Sequence, residues 1–256
     1  MGAHAVSLAE RLRPKRPRQY VHTLSGGLST NVYVATWPRR TTRVRVVALE
    51  PPQPLRSWVR GSPVADALAG GFHIDSSTTP LGELRTGGEV HMSVPFDSPW
   101  DACRSCIAID GGEVEIAPRG MLPSRPRGDL LQAGPLLVLR GKVLAGTRDN
   151  EGFSAGAHQF DSDLSAGRHP RAAFGIARDR FIAVVCDGRS MRDAGMTLAE
   201  LGALMAELGA DAAINLAGGG SASLVCGGHL QNRPRDEDGV ALLGGCPVAS
   251  ALVFGR

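Results

Sequence analysis

Residues 211–224 read Asp-Ala-Ala-Ile-Asn-Leu-Ala-Gly-Gly-Gly-Ser-Ala-Ser-Leu, so an apolar, strand-like run leads straight into Gly218, Gly219, Gly220 and Ser221. A backbone without Cβ atoms lets a ligand approach closely and aims successive N–H groups at an anion. Ser221 adds a hydroxyl, and Asn215 sets a carboxamide at the end of the apolar run, where burial would oblige it to find partners. The chemistry on offer is recognition of a negatively charged group; a tight turn between strands is the purely structural alternative. Other chemistries fit less well. Gly219-Gly220-Ser221-Ala222-Ser223 lacks the last glycine of a Gly-x-Ser-x-Gly elbow, no Gly-x-x-x-x-Gly-Lys-Ser/Thr is present, and no Gly-x-Gly-x-x-Gly opens a helix.

The elements that would hold this bend are most legible in the C-terminal third. Residues 181–186 form an apolar strand ended by Asp187-Gly188-Arg189-Ser190, and Thr197-Leu198-Ala199-Glu200 has the Thr-x-x-Glu form of a capping box. Leu198, Leu201, Leu204, Met205 and Leu208 then share one helical face, with Gly209 placed to end the helix. A strand over 212–216 delivers the bend, and strands over 223–226 and 248–254 follow. Upstream, 32–36 and 43–49 read as strands joined by a hairpin at Pro38-Arg39-Arg40. Pro51-Pro52-Gln53-Pro54 marks a bend, and a helix is expected around 59–68. Short strands at 70–73, 87–91, 106–110 and 136–139 alternate with glycine and proline, a spacing that favours antiparallel pairing. Residues 144–171 have little periodicity and predict a long loop. The expected fold is α+β, with mixed, largely antiparallel sheets and a few flanking helices. Residues 1–19 are expected to form a flexible basic arm, and 20–256 one domain, or two lobes sharing an interface.

A chain of 256 residues with 43% hydrophobic content can bury a sizeable core. No run of 18 apolar residues occurs, and Arg11, Arg13, Lys15, Arg16 and Arg18 are not followed by the apolar stretch of a secretory signal. The expectation is a cytoplasmic protein with no membrane partner. The net charge is +3, and Lys15 and Lys142 are the only lysines among 28 basic residues. The basic clusters 11–18 and 39–45 have only Tyr20, Tyr33 and Trp37 nearby for base stacking, which favours a solvated basic face over a nucleic-acid surface. An anionic small molecule is the expected partner; association with further copies of the chain stays open. Five cysteines, an odd number, argue against a complete disulfide framework, and Cys186 and Cys226 sit in apolar runs as small core residues. Cys103 and Cys106 are spaced like a zinc or redox pair but have no second pair to complete four ligands, so neither metal nor cofactor is expected.

The bend and its approach resemble the phosphodiester glycosidase family, whose pattern there is close to Asn-Leu-Asp-Gly-Gly-Gly-Ser. The resemblance runs from about Leu68 to the C-terminus, with its motifs in the family's order. Gly70-Gly71-Phe72 looks like the family's Asn-Gly-Gly-Phe, with Ala69 in the asparagine position. Gln132-Ala133-Gly134-Pro135-Leu136-Leu137 resembles Ala-Gly-Pro-Leu-Leu, and residues 171–176 resemble Arg-Thr-Ala-x-Gly. Asp187-Gly188-Arg189 and Gly195-Met196-Thr197-Leu198-Ala199-Glu200-Leu201 match Asp-Gly-Arg and Gly-Met-Thr-Leu-x-Glu-Leu.

The resemblance implies hydrolysis of a sugar joined through its anomeric oxygen to a phosphodiester. Phosphate is a stable leaving group, so the demands move to holding it, stabilising oxocarbenium-like charge, and aiming a water or carboxylate at the anomeric carbon. Arg171 and Arg189 are the candidates for phosphate, since a guanidinium offers a planar fork to two oxygens; pairing with a surface acid is the alternative. Gly70, Gly71, Gly134, Gly218, Gly219, Gly220 and Ser221 are assigned to substrate binding. Asp187 would act as base or hold a sugar hydroxyl, unless it merely forms an Asx turn. Asn215 would orient the bend or contact the sugar, and His73 would carry a proton or contact the sugar. Glu200 is a candidate catalytic acid, against which its third position in a capping box gives it a structural explanation. His158, Asp161, Asp163, Arg168 and His169 crowd the long loop, as an entrance lining, a solvated surface or a calcium site, the last disfavoured by their irregular spacing. Ala217 stands where the family has an acid, and alanine can serve as neither nucleophile nor base. Either the chemistry of this chain is altered, or an aspartate has been replaced.

Overall fold

Alternate side chains of the strand Ser29–Pro38 enter two different interiors, as the two-residue period of an extended chain requires. Tyr33, Ala35 and Trp37 join a core shared by three sheets, whereas Val32 and Val34 join one beneath a helix. The computed structural model describes residues 17–74, 78–144, 151 and 167–255.

The seven-stranded sheet runs in the order Arg18–Thr23, Ser29–Pro38, Arg180–Cys186, Arg171–Ile176, Ala212–Asn215, Leu136–Leu139, Lys142–Val143. A five-stranded sheet orders His229–Leu230, Leu224–Cys226, Asp66–Ala69, Pro247–Gly255 and Arg43–Pro54; another orders Glu113–Pro118, Ser105–Asp110, Asp129–Gln132, Leu84–Thr86 and Glu89–Val90. The ladders between these strands are antiparallel, and an isolated parallel bridge joins Leu81 to Val94. Strands Arg171–Ile176 and Arg180–Cys186 are covered on both faces, which is why they read as near-continuous apolar runs. In the shared core Trp37 stacks on Phe254 at 3.9 Å, and its Nε1 donates to the buried Asp66 at 2.8 Å. Among the described residues no helix is long and apolar enough to cross a membrane.

The helix Leu198–Glu207 covers the outer face of the large sheet with Leu201, Leu204 and Met205. Its capping box forms as expected: Glu200 N–H donates to Thr197 Oγ1 at 3.1 Å, and Thr197 N–H to Glu200 Oε2 at 2.9 Å. Arg168 adds a two-point contact to the same carboxylate at 2.6 and 3.1 Å. Burial opposes ionisation of Glu200, but the bonds from Arg168 and Thr197 outweigh it and hold the carboxyl below its ordinary value. Thr197→Ala is expected to lower stability by about 1 kcal/mol, the usual worth of an N-cap. A urea midpoint unmoved by the change would show that packing alone sets this helix.

The helix expected around 59–68 is displaced. It spans Leu55–Arg60, and Asp66–Ala69 is a strand. Gly61 closes the helix with its N–H on the carbonyls of Ser57 and Trp58, and Pro63 disfavours helical backbone at Ser62. Pro51-Pro52-Gln53-Pro54 does not leave the sheet but continues the strand Arg43–Pro54, which ends with Pro54 opposite Pro247. Gly70 and Gly71 fall outside the strand that precedes them, and the next pairing is the two-residue ribbon His73–Ile74 with Thr79–Pro80. The arm expected over 1–19 lies largely outside the described residues, and the first strand begins at Arg18.

Candidate functional site

The bend follows the strand Ala212–Asn215, which is held between Arg171–Ile176 and Leu136–Leu139. Backbone bonds tie it to surrounding segments. Ala217 N–H donates to Gly70 O at 2.9 Å, Gly219 N–H to Pro170 O at 2.9 Å, and Cys246 N–H to Gly220 O at 2.9 Å. Gly70, Gly134, Arg171, Asn215, Ala217 and the bend are thereby brought together. Gly220 permits one such close approach, since a Cβ there would stand 2.6 Å from Cys246 Sγ and 3.1 Å from Arg235 O. The N–H groups of Gly219 and Ser221 are engaged by Pro170 and Gly218, so those two donors are already bonded within the chain.

Asn215 is fully buried. Its Nδ2 donates to Gly134 O at 2.9 Å, while its backbone exchanges bonds with Gly134 N–H at 3.1 Å and Pro135 O at 3.0 Å. Its Oδ1 finds no partner among the described residues. A buried acceptor without a donor is costly, and ordered water or a bound group is the usual source of one.

Asp187 ends the strand Arg180–Cys186 and is 3% exposed. Its carboxylate accepts from Tyr33 Oη at 3.0 Å and from Arg233 N–H at 2.7 Å. Burial pushes the carboxyl up to about 6 against those two bonds, and the charge of Asp193 pushes the same way. The group therefore changes charge just below neutral pH, where a base can work. Tyr33 is raised as well, by burial first and then by the charge of Asp187.

Arg189 is half-buried with a left-handed backbone, φ 58°. Its Nη1 donates to Arg235 O at 3.4 Å, the carbonyl that also borders Gly220. Arg171 is 1% exposed, with Nε donating to Met196 O at 3.0 Å and Nη2 to Gly167 O at 3.4 Å. Both bonds engage its guanidinium with backbone carbonyls. Burial lifts the neighbouring Cys186 thiol to about 12, in keeping with a core residue. His73 stands on its ribbon three residues beyond Gly70 and is half-buried. Of the long loop, His158, Asp161 and Asp163 lie outside the described residues, while Arg168 pairs with Glu200 and His169 exchanges backbone bonds with Met196.

Tyr33, Arg233 and Glu151 escaped sequence reasoning. For Tyr33 there was a signal, because a tyrosine inside an apolar strand must find a partner for its hydroxyl. Glu151 carries none: it lies in the aperiodic stretch, yet its Oε1 accepts from Ser105 Oγ at 2.5 Å and Leu136 N–H at 2.9 Å, and its Oε2 from Ser105 N–H at 2.8 Å. A cleft of about 530 Å³ opens elsewhere, lined by Glu83, Asp101, Arg119 and Gln132 and by no residue of the bend; Glu83 is bonded there to Arg85 and Arg119. Among the described residues no three His, Cys, Asp or Glu side chains gather as metal ligands would.

A sequence model of the phosphodiester glycosidase family matches residues 63–255. In structure the chain is similar to the catalytic domain of zebrafish N-acetylglucosamine-1-phosphodiester α-N-acetylglucosaminidase, auto-inhibited by its pro-peptide. The TM-score is 0.71 at 16% identity, over 94% of this chain and 82% of that one. A hypothetical protein from Synechocystis superposes with a TM-score of 0.64 at 18% identity, over 94% of this chain and 62% of the other. No curated protein matches the sequence. Identities this low carry the fold alone, and the match along most of the sequence carries the kinship. This chain belongs to the phosphodiester glycosidase family, which implies hydrolase chemistry.

Proposed function

We propose that the triple-glycine bend and the segments tied to it bind a small-molecule glycosyl-1-phosphodiester, the sugar against Asn215 and the phosphate near Arg189. The observation that carries this reading is the buried Oδ1 of Asn215, an acceptor awaiting a donor such as a sugar hydroxyl. Arg189, beside the bend, offers a fork to phosphate oxygens, and the buried charge of Arg171 favours the same anion. Asp187 is the base that prepares water for the anomeric carbon or holds a sugar hydroxyl, and His73 is a secondary candidate for moving a proton. Gly70, Gly71 and Gly134 shape the wall. We place this work in the cytoplasm, on a metabolite and without nucleic-acid or membrane partners.

Ala217 favours a second reading, in which the chain binds such a diester without cleaving it. Both readings require binding. Calorimetric titration with the methyl phosphodiesters of glucose 1-phosphate and N-acetylglucosamine 1-phosphate is expected to give saturable binding of at least one. Arg189→Ala should weaken it by about 10-fold or more, the worth of a hydrogen bond to a charged group. Heat of binding from neither diester, or an affinity indifferent to Arg189→Ala, would remove the anion from this site.

A further inference from the structure

Asn215 can present an acceptor only if something sorts its two nearly equal ends. The oxygen and nitrogen of a carboxamide have almost the same shape, and a fixed acceptor at one end decides which is which. Here that acceptor is Gly134 O, 2.9 Å from Nδ2. Whatever immobilises Gly134 therefore aims Oδ1.

Glu151 meets this need. Its two carboxylate oxygens span Ser105 and Leu136, through three bonds of 2.5 to 2.9 Å, with Gly134 lying between. Oε2 occupies the place of a side chain at 134: a Cβ there would be 2.6 Å from it, and Gly134 has φ 106°. From the opposite side Asn215 grips the same segment through Gly134 N–H, Gly134 O and Pro135 O. Glu151 itself has φ 60°, an uncommon backbone for a residue with a side chain, and such strain persists only where surrounding contacts over-determine it. Burial pushes its carboxyl above the ordinary value against the bonds from Ser105 and Leu136 and the nearby charge of Arg104. A group kept at that cost in the wall of a candidate site is better explained by what it orients than by the two N–H groups it satisfies.

We infer that Glu151 is a positioning residue: its carboxylate pins the segment 134–136 so that Asn215 presents Oδ1 to a hydroxyl or amide N–H of the bound sugar. The inference deepens the proposed function and rests on it for the identity of the ligand, though the aiming of Asn215 is testable without any ligand.

Glu151→Gln keeps the shape but turns one acceptor into a donor facing other donors. In the folded variant the side-chain amide NMR signals of Asn215 are expected to shift or split as the carboxamide loses its single orientation. Affinity for the methyl phosphodiester of glucose 1-phosphate should fall about 10-fold, the worth of one sorted hydrogen bond, while dimethyl phosphate, the anion without the sugar, should bind within about twofold of the parent. Ser105→Ala, which leaves the carboxylate its two backbone donors, should show the same changes to a smaller degree and serves if Glu151→Gln does not fold. Asn215 signals identical to the parent's overturn the inference, as does an equal loss for both probes. If neither probe binds the parent, the proposed function fails while the Asn215 spectra still decide the role of Glu151.

Discussion

Ala217→Asp is expected to raise turnover of a glycosyl-1-phosphodiester by about 10²–10⁴-fold, the contribution of one positioned acid or base. Position 217 lies two residues past Asn215, and its N–H on Gly70 O fixes the direction in which a side chain leaves the backbone. The new carboxylate would thus join the fixed constellation of Asn215, Gly134 and the bend, with Asp187 and Arg189 on the strand-end corner. It would do so at a cost. Ala217 is 2% exposed, so burial should push the added carboxyl above its ordinary value and lower stability at neutral pH. Release of the phosphate monoester, followed against the unmodified chain, measures the gain. A well-folded variant that binds the diester and still releases nothing would favour the binding reading over hydrolysis.

How much of this was legible depends on how local the cause is. The helix Leu198–Glu207 could be placed because its cap, apolar face and terminating glycine lie within thirteen residues of one another. The glycine bend could be found because close approach leaves a compositional trace. Around 59–68 the local signal misled: apolar residues suggested a helix, but pairing of Asp66–Ala69 with Leu224–Cys226 and Pro247–Gly255 claims them for a sheet. The site followed the same rule. Asp187 stood out at the end of an apolar run, yet its proton affinity is raised by burial first, and the bonds that oppose that rise come from Tyr33, 154 positions earlier, and Arg233, 46 later. Glu151 reaches Ser105 across 46 residues and Leu136 across 15, and no pattern near it announces either contact. The family match begins at residue 63, while two of the sheets draw strands from residues 18–54.

Asp187→Asn, made in the Ala217→Asp background, is expected to cut turnover by about 10²–10⁴-fold, the loss of a positioned base, and to abolish the acidic limb of the rate profile. That limb should fall near pH 6 in the parent, because the carboxyl must lose its proton to act and burial holds it at about 6. Asparagine preserves the local bonds: Oδ1 accepts from Arg233 N–H, and Nδ2 donates to the Tyr33 hydroxyl, which reverses its role. The fold should therefore survive, and its stability supplies an independent check. The folded protein holds the Asp187 proton more tightly than the unfolded chain does, so the neutral carboxyl's contribution is full below about pH 3.8 and lost as pH rises through about 6. A rise in proton affinity of that size caps the loss at about 3 kcal/mol. Urea midpoints of the pair should thus change in the variant's favour as pH rises from about 4 to about 7, by no more than that bound. Parallel pH dependences in the two proteins would mean that Asp187 titrates as an ordinary exposed carboxylate, and the assignment of the base would then move to the aspartate introduced at 217.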